Sequence, residues 1–138
     1  MFVTPDIKMI RKLFVFRYIA LFYALLIFIA SAIPHVPTPW GFKWGDKGLH
    51  FFEYGIFSLL LFLAFYNSGK KFLKKNVFVF SILSGMIYGL SDEIHQKFVP
   101  GRNCDMFDFL ADGLGILLVQ VAIWFYLKRK GLSRIKST

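Results

Sequence analysis

The residues of this chain that could do chemistry are gathered into three short segments. One carries Asp46, Lys47, His50, Glu53 and Tyr54, the next Ser91, Asp92, Glu93, His95 and Gln96, and the last Arg102, Asp105, Asp108 and Asp112. Asp46, His50 and Glu53 or Tyr54 are spaced i, i+4 and i+7 or i+8, so a helix places them on one face. Asp92 and Gln96 are four apart, and Asp105, Asp108 and Asp112 follow i, i+3, i+7, which again makes a single stripe on each helix.

Three kinds of chemistry suit such a set. Arg102 as a planar fork and Lys47 as a point charge can meet phosphate, while the carboxylates orient them or accept from hydroxyls and amines. His50 beside Glu53 is a candidate general acid/base pair, and Asp92 or Glu93 can hold a divalent cation. Acids within membrane segments also mark proton or ion paths. No HExxH, G-x-S-x-G or other catalytic run is present. Cys104 is the only cysteine, so there is no intrachain disulfide and no CxxC metal pair. The spacing names no metal ligand set and no cofactor.

The elements that must position these residues are apolar helices. The hydrophobic fraction is 57%, above the 45–50% typical of soluble domains, with 18 phenylalanines in 138 residues. A domain this small buries only about 60–70% of its chain surface, so lipid must cover the rest. Four stretches approach the ~20 apolar residues a spanning helix needs: 13–33, 48–66, 76–94 and 106–127. Pro34, Pro37 and Pro39 stop the first, Asn67-Ser68-Gly69 the second, and Pro100-Gly101 form the third connection. The expected architecture is an all-α integral membrane bundle of about four helices in a single domain spanning 1–138.

Charge sets the expected orientation. Lys8, Arg11, Lys12 and Arg17 precede the first span, Lys70, Lys71, Lys74 and Lys75 fill the second loop, and Lys128, Arg129, Lys130, Arg134 and Lys136 form the tail. The other two loops have only Lys43, Lys47, Lys97 and Arg102. By the positive-inside rule both termini are cytoplasmic and the polar layer faces outward. Basic residues in juxtamembrane runs fit anionic lipid rather than nucleic acid, despite the formal net charge of +9. Ala30-Ser31-Ala32 after an apolar run resembles a signal-peptide cleavage site, but the run is long enough to serve as a retained span.

Bland readings stand beside these. Asp46 and Asp105 suit helix N-caps, His35 a solvated loop, and Trp40, Phe42, Trp44, Trp124 and Tyr126 the aromatic belts at the interfaces. Ser81, Gly85 and Gly89, with Ala111 and Gly115, make small-xxx-small patterns for close helix packing. Asp92, Arg102 and Asp108 are the residues for which function or an essential buried pair outweighs simple solvation, and Asp92 is expected to interact with Arg102, directly or through a ligand. A cavity lined by His50, Glu53, Asp92, Glu93, Gln96, Arg102 and Asp108 is expected between the second, third and fourth spans.

Asp46-Lys47 with His50, Phe51 and Tyr54, then Ser91-Asp92-Glu93-Ile94-His95-Gln96, Phe98, Pro100-Gly101-Arg102, Asp105, Asp108 and Gly115 form an ordered set. This set resembles the VanZ-like family of small bacterial membrane proteins, named after a protein associated with resistance to the glycopeptide teicoplanin. The family pattern usually has Asn where this chain has Asp112, so the site here gains a potential negative charge. The resemblance implies a multi-pass cell-membrane protein whose partners are membrane lipids, among them a lipid-linked cell-wall precursor or envelope lipid. Binding of such a head group is the leading expectation. A membrane-embedded hydrolase or transferase acting on the lipid, or a small transport or scaffold subunit, is the alternative. A homo-oligomer is compatible with either.

Overall fold

The computed structural model describes residues 7–34, 45–102 and 104–131, with side chains from Val15 onward. His35, Trp40, Phe42, Lys43 and Trp44 lie outside the described residues, as do Arg134 and Lys136. Among the described residues five helices follow one another: α1 Ile7–Ser31, α2 Gly45–Tyr66, α3 Lys71–Lys75, α4 Val77–Gln96 and α5 Met106–Arg129. α2, α4 and α5 are each long and apolar enough to cross a membrane. α1 runs 25 residues, about 37 Å at 1.5 Å per residue. From Val15 to Ser31 it is apolar, and Lys8, Arg11, Lys12 and Arg17 fall in its first half. The result is a helical membrane bundle of four, with the five-residue α3 as an addition inside the lysine-rich loop.

Boundaries follow local chemistry. α1 stops at Ser31, three residues before Pro34, because the residue ahead of a proline is pushed out of the helical region. α2 begins three residues earlier than its apolar run suggests, taking Gly45, Asp46 and Lys47 into its first turn, where a carboxylate meets the positive helix end favourably. Gly69 ends the second span at φ 73°, a left-handed conformation that glycine adopts without penalty. α5 is capped by Asp105, whose side chain accepts from the Phe107 N–H at 2.9 Å.

The surface is inverted relative to a soluble protein. Phe52, Ile87, Leu114 and Leu118 are each more than 60% exposed, whereas Asp112 is 0%, Glu93 2% and Gln96 2% exposed. Lipid is the solvent such a surface requires, and polar groups must then find partners inside.

α2 is the central helix. It packs along α5 over most of its length and also touches α1 and α4. Gly55 and Gly115 permit the closest approach of α2 and α5: a Cβ on Gly115 would collide with the Phe51 carbonyl and sit 3.2 Å from the Gly55 nitrogen. On α4, a Cβ on Gly85 would meet the Ile116 Cδ1 at 3.0 Å, and one on Gly89 would meet Asp112 Oδ2 and Tyr54 Cε1, both at 3.2 Å. The small residues thus serve packing, as small-xxx-small patterns do in lipid. Ile27, Tyr54, Phe57 and Ile116 form the apolar core between them.

Candidate functional site

Each polar stripe reaches the same end of the bundle, but the stripes do not all meet in one place. A half-open cavity of about 330 Å³ lies between α1, α2 and α4, lined by Tyr23, Ala30, Ser31, Asp46, Leu49, His50, Phe52, Glu53, Asp92, Gln96 and Arg102. Its volume is at the lower end of ordinary ligand sites. Five residues expected to share a cavity, His50, Glu53, Asp92, Gln96 and Arg102, do share this one. Glu93 and Asp108 do not line it, and the third wall is α1 instead of α5. This corrects the expected placement between the second, third and fourth spans. α5 is drawn against α2 by the glycine contact, which fills the space the acids of α5 would otherwise have opened.

α1 is integral to the site. Tyr23 donates to the Glu53 carbonyl at 3.3 Å and Tyr88 donates to the Ala24 carbonyl at 2.6 Å. His95 stacks on Phe28 with ring centroids 4.4 Å apart, and its Nδ1 lies 3.4 Å from the Ser31 hydroxyl. His95 is therefore a packing residue for α1. Nothing in the spacing within α4 could have paired it with a helix more than sixty residues away.

Arg102 is delivered by a tight turn. Val99 accepts from the Arg102 N–H at 3.1 Å, with Pro100 and Gly101 (φ 82°) at the two central positions, the residues a type II turn demands. The guanidinium donates from Nε to the Ile33 carbonyl at 3.2 Å and from Nη2 to the Ala30 carbonyl at 3.1 Å. It caps the end of α1, whose last carbonyls lack helical partners, and uses two of its five donors to do so. Asp92 accepts from Gln96 at 2.9 Å. Among the described residues no hydrogen bond or ion pair joins Asp92 to Arg102; the two share the cavity wall, so any interaction between them passes through what fills it.

Behind the cavity, α2 and α5 meet charge to charge. Lys47 Nζ bonds Asp105 Oδ2 at 2.7 Å and Asp108 Oδ1 at 2.8 Å. Lys47 is thus held in an internal pair and does not line the cavity. Lys47 and the Phe107 N–H hold the Asp105 carboxyl below its usual 3.8. One turn deeper, His50 Nδ1 and Asp112 Oδ1 are 3.0 Å apart, both buried. Glu93 reaches across from α4, its Oε2 accepting from the Asp105 N–H at 3.0 Å. Tyr54 is completely buried, its ring parallel to that of His50 at 6.4 Å between centroids. Ser91 belongs to neither group, being exposed and bonded to its own helix at the Tyr88 carbonyl, 2.7 Å away.

The spacing named no metal ligand set, although Asp92 or Glu93 was a candidate holder of a divalent cation. The fold nevertheless brings His50, Glu93 and Asp112 together, and separately Asp46, His50 and Asp108, with ligand atoms in each set within 4.8 Å of one another.

Comparison with known proteins supplies a relationship. The family model described as VanZ/LLP1 matches residues 4–128. An uncharacterised protein of Schizosaccharomyces pombe (strain 972 / ATCC 24843) is 30% identical over 116 residues, covering 83% of this chain and 67% of that protein. No solved structure matches the chain.

Proposed function

The chain belongs to the VanZ/LLP1 family, and from that premise we propose that this multi-pass membrane protein binds the polar, phosphorylated head group of a membrane lipid in the cavity between α1, α2 and α4. One observation carries the reading: Arg102 stands in the wall of a half-open cavity that combines Asp46, His50, Glu53, Asp92 and Gln96 with the apolar Leu49 and Phe52. A lipid needs both kinds of wall, since its phosphate seeks guanidinium donors and its glycerol or prenyl stem seeks hydrocarbon. The carboxylates and Gln96 suit hydroxyls or amines beside the phosphate. In a bacterial envelope, lipid-linked cell-wall precursors fit this description, and a link to teicoplanin resistance follows from them. The fungal relative favours the broader chemistry, a phosphorylated head group of any such lipid.

In this reading both termini face the cytoplasm and the cavity opens on the opposite side, on the strength of the basic residues gathered at the other end of the bundle. Cys104 is free and exposed beside the cavity end. A membrane-impermeant maleimide should label it in intact cells, and labelling confined to inverted vesicles would reverse the orientation.

Native mass spectrometry of detergent-purified protein tests the binding. The wild type should retain a phosphorylated lipid and Arg102→Gln should lose about tenfold in retention, the equivalent of one charge-assisted hydrogen bond. Equal retention by the two proteins would end the proposal.

A further inference from the structure

Among the described residues, four buried side-chain atoms lack a hydrogen-bond partner: Glu93 Oε1, Asp112 Oδ2, Tyr54 Oη and, deeper in the bundle, Gln120 Oε1. Such orphans are rare in folded proteins, and an absent ion is one of the few physical reasons for them. Two of the four are carboxylate oxygens of residues that converge with His50. Glu93 and Asp112 come from different helices, α4 and α5, and face α2 at the depth of His50. Both are essentially closed to solvent, at 2% and 0% exposure. Gly89 assists the approach, because any Cβ there would press on Asp112 Oδ2 at 3.2 Å.

Charge points the same way. Asp92, Glu93, Asp108 and Asp112 are all buried at this end, together with half-buried Asp46 and Glu53. Among the described residues, the internal cations facing them are Lys47, already shared by Asp105 and Asp108, the guanidinium of Arg102, and His50 when protonated. A surplus of carboxylates at membrane depth must be neutralised by protons or by a cation.

We propose that His50, Glu93 and Asp112 bind a divalent transition-metal ion, of the zinc or manganese type, between α2, α4 and α5. One imidazole and two carboxylates form a mixed donor set that suits these ions. Calcium wants six to eight oxygens, more than the three residues supply. The 3.0 Å separation of His50 Nδ1 and Asp112 Oδ1 is close to the ~3.0–3.4 Å between neighbouring donors about 2.1 Å from one octahedral or tetrahedral ion. All three ligand atoms lie within 4.8 Å of one another, so small side-chain shifts close the set. The second constellation, Asp46 with His50 and Asp108, is the weaker candidate because Asp108 Oδ1 already bonds Lys47 and Asp46 is only half-buried. His50 is shared with the cavity wall, but Glu93 and Asp112 do not line the cavity, so the inference does not depend on a lipid ligand.

Full-length protein is purified in detergent, stripped with a chelator and titrated with ZnCl₂ and with MnCl₂ while metal content and thermal midpoint are recorded. One equivalent of at least one of the two metals should bind, and the midpoint should rise with its concentration, as mass action requires. Glu93→Gln and Asp112→Asn, which preserve shape, should each weaken binding tenfold or more, while Asp46→Asn should not. A wild type that takes up neither metal and shows no midpoint shift overturns the proposal. So does binding that survives Glu93→Gln and Asp112→Asn unchanged, and so does loss through Asp46→Asn and Asp108→Asn alone, which would transfer the site to the other set. Should a variant fail to fold, the wild-type titration still decides.

Discussion

The seam between α2 and α5 is built in two ways along its length. At the polar end Lys47 faces Asp105 and Asp108, and His50 faces Asp112. A turn or two deeper, Gly115 lies against the Phe51 carbonyl and the Gly55 nitrogen, and Ser58 receives two hydrogen bonds from Gln120, at its carbonyl (3.1 Å) and hydroxyl (2.7 Å). The deep part brings backbones together because nothing intervenes, which maximises dispersion in a solvent that supplies no hydrophobic drive between helices. The polar part holds long side chains apart and sets their partners. The first kind of contact therefore decides where the helices lie, and the second decides which charges are satisfied once they lie there.

The comparison breaks most visibly at Gly115. Gly115→Val puts a branched Cβ against the Phe51 carbonyl, and backbone cannot yield as a flexible side chain does. Thermal unfolding in detergent should show a loss above about 3 kcal/mol, the upper range for overpacking. Gly48→Ala on the partner helix α2, with nothing within 4 Å of the added Cβ, should be neutral or stabilise by up to about 1 kcal/mol. Equal behaviour of the two would remove the distinction between close-packed and open glycines.

Next in size is the buried pair. His50→Ala leaves Asp112 with neither carboxylate oxygen partnered, and should cost about 1–3 kcal/mol. His50→Leu with Asp112→Leu removes both polar groups and should recover much of that loss. If the double variant is worse than the sum of its parts, the pair contributes more than its own desolvation cost.

A smaller effect separates the cavity from the seam. Asp92→Asn and Arg102→Gln should each cost about 1 kcal/mol in stability, and without lipid the two should add, since Asp92 bonds Gln96 while Arg102 bonds α1. In lipid retention they should be coupled, because one ligand would touch both. Coupling in the stripped protein would require a direct contact.

The smallest effect is at Asp105. Its carboxyl is held below 3.8 by Lys47, so the folded state binds its proton less readily than the unfolded state. The resulting stabilisation is complete above that unfolded value and disappears as pH falls through the lower folded value. At 37% side-chain exposure it is screened by solvent and salt. Asp105→Asn should flatten the acid limb of the unfolding profile slightly, and should leave the profile above pH 5 unchanged apart from a uniform offset for the lost cap.

Much of this protein was legible before folding was considered. Apolar runs located the four longer helices because lipid forces every backbone group into helical bonds, leaving length and composition as the signal. The 3.6-residue period placed Asp46, His50 and Glu53 on one stripe, and Asp105 announced its cap. Arg102 was foreseeable as a delivered charge because Pro100-Gly101 permits one turn geometry. Ser91 was misleading: its neighbours Asp92 and Glu93 are buried, but one step along a helix rotates a side chain by about 100°, and Ser91 points outward.

What the tertiary structure alone decided is the pairing of stripes. A periodic pattern places residues around the axis of their own helix but carries no information on which neighbour that face will meet. Here the meeting was set elsewhere, by Gly115 admitting the Phe51 carbonyl and drawing α5 onto α2. That contact turned Asp108 and Asp112 toward Lys47 and His50, left Asp92 and Arg102 to face α1, and gave the first helix, the least informative segment of the chain, one wall of the cavity. Side-chain identity determined depth in the membrane, because lipid penalises charge by depth; backbone proximity determined direction, because only close packing fixes how each helix is rotated against the next.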